Sequence, residues 1–146
     1  MPRNERQITY WSFLLSRFML AGVFALAGAL KIADPKGFAR GIADYDLVPE
    51  LFVPIIAVVL PWWEVAAGAL AIAGRWKIGA LTVLTGLSAA FLVIGGITLA
   101  RELSVECGCF GFLSERVGAV SISFEAVLFV VGALLLRREM FPPNGR

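Results

Sequence analysis

Apolar and polar positions fall along this chain in long blocks, not in the short alternation of a half-buried strand. After a polar start in which Arg3 and Arg6 face a single Glu5, an apolar run extends to Ile32, broken only by Arg17. About 20 residues at about 1.5 Å each cross a hydrocarbon core, so residues 11–32 are long enough to do so. Three further blocks follow, at 51–72, 78–100 and 117–136. Ala25-Leu26-Ala27 resembles a leader-cleavage site, but leader cores are shorter (about 7–15 residues) and seldom carry an Arg, so the first block reads as a span. The pattern predicts an all-α integral membrane protein, residues 1–146 forming one domain with four membrane-spanning helices.

Between the first two blocks the pattern changes. Asp34 can cap, Pro35 suits a first helical position, and Phe38, Ile42 and Tyr45 recur at helical spacing. This predicts a short amphipathic helix lying in the interface and closed by Pro49, with Tyr45 at the boundary. The second span carries Pro54 and Pro61, and proline inside a membrane helix frees a carbonyl and favours a kink. In the third, Gly86 and Ala90 allow a close helix approach.

Composition agrees with the pattern: 59% of residues are hydrophobic and 16% charged, against about 25% charged in soluble domains. A net charge of +2 with scattered cations gives no footprint for nucleic acid. Four spans put both termini on one face, with Arg3, Arg6, Arg75, Lys77, Arg137, Arg138 and Arg146. The opposite face receives Lys31, Lys36, Arg40, Arg101 and Arg116. The positive-inside rule then favours cytoplasmic termini in a bacterial inner membrane, with the loop 101–116 extracytoplasmic.

That loop holds the two cysteines of the chain, in Glu106-Cys107-Gly108-Cys109-Phe110-Gly111. A structural disulfide gains by closing a long loop, and here one residue separates the thiols. A zinc site needs four ligands, and one chain offers two thiols and no His, so no metal site is expected within it. Gly108 lets the backbone fold tightly enough to join the sulfurs, and a strained small ring is readily reduced. Thiol–disulfide exchange is therefore the expected chemistry, and whether the chain is itself the enzyme stays open. One pair in one loop cannot relay electrons across a membrane alone, so a partner, a quinone or both are required.

Arg17, Glu64 and Glu125 lie within spans, where ionisable groups are costly and face the bundle interior. Counted from the ends of their apolar blocks, Arg17 and Glu64 lie at matching depths, which predicts an Arg17–Glu64 pair. Glu125, nearer the midplane, either joins them or stays protonated. Two readings stand for this region. In one the pair sets helix register; in the other Trp62, Trp63 and Glu64 line a pocket for a quinone headgroup or a proton path. The tryptophans serve equally as lipid-facing packing.

Arg17, Gly28-x-x-Lys31 with Asp34-Pro35, Phe38, Tyr45 and Pro49, then Leu60-Pro61-x-x-Glu64-x-x-x-Gly68, together resemble the DoxX-like proteins. With Cys107-Gly108-Cys109-Phe110-Gly111 added, the chain is similar to their MauE branch of redox-associated membrane proteins. The resemblance runs from Arg17 to Gly111 and implies a four-helix membrane bundle acting beside a periplasmic thioredoxin-like protein or another membrane redox subunit. It further implies a part in maturing extracytoplasmic proteins, as in methylamine utilisation. The alternative it implies is a non-catalytic subunit or assembly factor of an oxidoreductase complex, with quinone as the one cofactor suggested.

Overall fold

A computed structural model describes residues 3–101 and 119–141, and every element in them is helical: α1 (Arg3–Ala33), α2 (Pro35–Asp44), α3 (Val53–Ala73), α4 (Lys77–Ala100) and α5 (Ala119–Met140). Four of these are long and apolar enough to cross a membrane: Tyr10–Ala33, Val53–Ala73, Lys77–Ala100 and Val120–Met140. The chain is a multi-pass membrane protein. α1 starts well before its apolar run, because nothing in the polar residues 3–9 breaks a helix. α5 runs through Arg137 and Arg138 instead of stopping at them, with both cations in its last turn, where the helix dipole favours positive charge.

In lipid the hydrophobic effect does little to hold helices together, so contact depends on how closely backbones approach. α1 and α3 run antiparallel at two glycines. A Cβ on Gly28 would lie 2.7 Å from the Pro61 carbonyl oxygen, and one on Gly68 would lie 2.8 Å from that of Ala21. These two points fix the register of the pair. α4 and α5 form a second antiparallel pair, with Gly95 against Ile122 at one end and Gly132 against Thr85 at the other. The interior between the pairs is filled by Leu20, Phe24, Ala67, Ala71, Leu81, Leu84, Leu128 and Leu135.

α2 turns off the end of α1. Asp34 caps it by accepting a hydrogen bond from the Gly37 N–H at 2.9 Å, and Pro35 occupies the first turn. Its apolar side, Phe38 and Ile42, packs on Val53 and Ala57 of α3. The helix ends at Asp44, several residues before the predicted closure at Pro49, and Asp46 just beyond it has φ 49°. At the other end of the bundle, Gly74 (φ 68°) and Trp76 (φ 50°) turn α3 into α4.

Candidate functional site

The α1–α3 register determines which intramembrane charges meet. Gly28 is followed one helical turn later by Lys31, and Pro61 by Glu64, so each close approach is flanked by an ionisable group. Lys31 Nζ donates to Glu64 Oε1 at 2.6 Å, with Lys31 2% exposed and Glu64 fully buried. The ammonium is also held between two rings, 5.2 Å from the centroid of Phe38 and 4.8 Å from that of Phe91. One cation therefore ties α1 to α2, α3 and α4. The second carboxylate oxygen of Glu64 has no hydrogen-bond partner among the described residues.

The expected Arg17–Glu64 pair does not form. Arg17 Nη2 is 3.7 Å from where a Gly74 Cβ would stand, so Arg17 lies level with the α3–α4 turn. Ten residues, roughly 15 Å of helix, separate that level from Glu64. Depth counted from the edge of an apolar run misplaced it, because α1 continues beyond the run and glycine contacts, not hydropathy, set the register. Lys31, assigned from sequence to the polar loop, belongs instead inside the bundle. The signal was present in the repeated spacing of Gly28-x-x-Lys31 and Pro61-x-x-Glu64.

A cavity of about 150 Å³ opens beside this pair, walled by α2, α3, α4 and the start of α5. Phe38 and Phe91, the rings that hold Lys31, form part of its lining, which is apolar except for Tyr45, Ser121 and Glu125. That volume accommodates one benzene-sized ring. Tyr45 and Glu125, both singled out from sequence, thus converge on one space. Trp62 and Trp63 do not. Each is 59% exposed on the outer face of α3, which favours the lipid-facing reading over the one in which they line a pocket with Glu64. Pro61 is buried at the α1 contact, where its carbonyl faces Gly28. Phe38 and Phe91 owe their importance to Lys31, and Phe91 carried no sequence signal of its own.

Cys107, Cys109, Gly108, Phe110 and Gly111 lie outside the described residues. The helix ends that their segment joins are those beside the cavity: Ile94 and Gly95 near the end of α4, and Ser121 and Ile122 at the start of α5, line it. Among the described residues no cluster of His, Cys, Asp and Glu could hold a metal ion.

The family model for methylamine utilisation protein MauE matches residues 9–138. The chain belongs to the MauE family. The match covers the first three spans, nearly all of the fourth and the Cys107–Cys109 segment, further toward the C-terminus than the motifs alone reached. The methylamine utilization protein MauE of Paracoccus versutus is 30% identical over 126 residues, which is 85% of this chain. The MauE-family chain described here spans 66% of that relative's length, just under two thirds. No solved structure matches it.

Proposed function

We propose that this MauE-family protein is a membrane component of a maturation pathway of the methylamine-utilisation type, exchanging disulfides with an extracytoplasmic thioredoxin-like partner. The observation that carries the reading is the placement of Cys107-Gly108-Cys109 in the segment between α4 and α5. That segment springs from the end of the bundle that also bears α2, the cavity and the Lys31–Glu64 pair. A thiolate on one molecule attacks a sulfur of the other molecule's disulfide, forming a mixed disulfide and releasing a thiolate. The remaining thiol of the attacking molecule resolves it, so one disulfide opens as another forms and two electrons change hands. Withdrawal of Lys31 into the bundle removes one cation from the loops of the α2 side, which strengthens the charge bias toward cytoplasmic termini.

Single Cys107→Ser and Cys109→Ser variants test the exchange. One of them should accumulate a mixed disulfide with a smaller thioredoxin-like protein on non-reducing gels of intact cells. Absence of the adduct in both variants, with full function retained in the double Ser variant, would instead identify a non-catalytic assembly subunit.

The cavity favours a second reading, in which a quinone ring binds beside the Lys31–Glu64 pair. The residues fit such a group: Phe38 and Phe91 would stack on the ring, and Tyr45, Ser121 and Glu125 supply the polar contacts its oxygens need. A bound quinone would accept the two electrons and two protons of a dithiol. On this reading Glu125→Gln and Phe91→Ala should slow quinone-dependent reoxidation of the cysteines at least tenfold, while Trp63→Ala leaves it unchanged. Equal rates in all three variants would remove quinone from the cavity.

A further inference from the structure

The opposite end of the bundle carries a cation with no use in the reading above. Arg17 is 7% exposed, its Nε has no hydrogen-bond partner, and no carboxylate pairs with it among the described residues. The ring of Phe18 lies 5.5 Å from the guanidinium carbon. A buried guanidinium in a membrane span is expensive unless an anion or a set of acceptors receives it. Its Nη2 reaches the α3–α4 turn, where the Cε of Lys77 approaches the same Gly74 position, also at 3.7 Å.

The turn opens α4, and its N-cap residue, Trp76, makes no side-chain capping hydrogen bond. α4 begins at Lys77, so the positive end of its dipole and its uncapped first-turn amides lie at the same turn that Arg17 and Lys77 reach. Arg75 adds a cation in the turn, and Arg138 lies on Phe13, one turn along α1 from Arg17. The acids of this end are Glu5 and Glu139, and the Glu139 carboxylate is 3.9 Å from Lys77 Nζ in a half-exposed contact. Trp76, 82% exposed, stands where an aromatic residue meets lipid headgroups.

We infer that this end of the bundle holds the phosphate of one anionic phospholipid, with Arg17 as its buried ligand and Lys77 and the α4 amides completing the site. Headgroup phosphate matches an arginine fork and a helix N-terminus, and the acyl chains continue along the lipid-facing surface. The site depends on neither the cysteines nor the direction of electron flow.

Native mass spectrometry of the full-length protein, released from detergent with phosphatidylglycerol or phosphatidylcholine, tests this. The wild type should retain one phosphatidylglycerol and no phosphatidylcholine, and Arg17→Gln should weaken that retention roughly tenfold, the loss of one charge-assisted contact. Where Arg17→Gln fails to fold, Lys77→Gln and Arg40→Gln, the latter at the other end of the bundle, decide. Loss in Lys77→Gln alone supports the site, and equal behaviour of the two overturns it. Equal retention of both lipids, or unchanged binding in Arg17→Gln, also overturns it. Protection from thermal unfolding by millimolar inorganic phosphate equal to that by phosphatidylglycerol would reassign the site to a free anion and overturn the lipid.

Discussion

At the scale of single residues the arrangement turns on Lys31 and Glu64, which are buried together where either alone would be an uncompensated charge. Removing one partner should therefore cost far more than the net worth of the pair. Lys31→Met or Glu64→Leu is expected to lower stability by about 3–5 kcal/mol, and the double variant should recover much of that loss. A double-mutant cycle from thermal unfolding in detergent measures the coupling. Arg17→Gln combined with Glu64→Leu should be additive, because roughly 15 Å separates them. The glycines make the complementary case. Gly28→Ala places a methyl 2.7 Å from the Pro61 carbonyl and should cost about 1–3 kcal/mol. Gly86, expected from its spacing with Ala90 to serve a close helix approach, instead meets open space, and Gly86→Ala should be near neutral in the same assay.

Among elements, α2 shows how unevenly the structure could be read in advance. Its start was legible because Asp34-Pro35 is a local signal: a carboxylate for orphan amides followed by a ring that fixes φ. The spans were legible because lipid demands long apolar runs. The Lys31–Glu64 pair was not, because it depends on the register between two helices, and hydropathy carries no register. The outward orientation of Trp62 and Trp63 was hidden for the same reason, since on an all-apolar helix every face looks alike. A local origin for α2 has a testable consequence. Asp34→Ala should cost about 1 kcal/mol and speed amide exchange in α2, at Gly37 above all, while the exchange of α3 and α4 is unchanged.

The whole molecule is two antiparallel helix pairs that differ in what binds them. α1 and α3 share backbone contact and an ion pair, whereas α4 and α5 meet mainly through small and aliphatic residues. The proposed orientation predicts that a membrane-impermeant maleimide added to intact spheroplasts will label Cys107 and Cys109 after reduction, and that an epitope at Arg146 will stay protected until the membrane is opened. Labelling of both sites, or protection of both, would contradict the single crossing of α5 that separates them. The α1–α3 contact also bears on how the chain is made. Lys31 emerges from the ribosome 33 residues ahead of Glu64, so for that interval α1 carries a cation without its counter-ion. During synthesis, Lys31 must reach for the headgroups or stay in the shelter of the insertion machinery. Arrival of α3 is what lets it sink. The ion pair is then a timing device in biogenesis, and a nascent chain stalled before Glu64 should cross-link to the insertase at Lys31 far longer than one stalled after it.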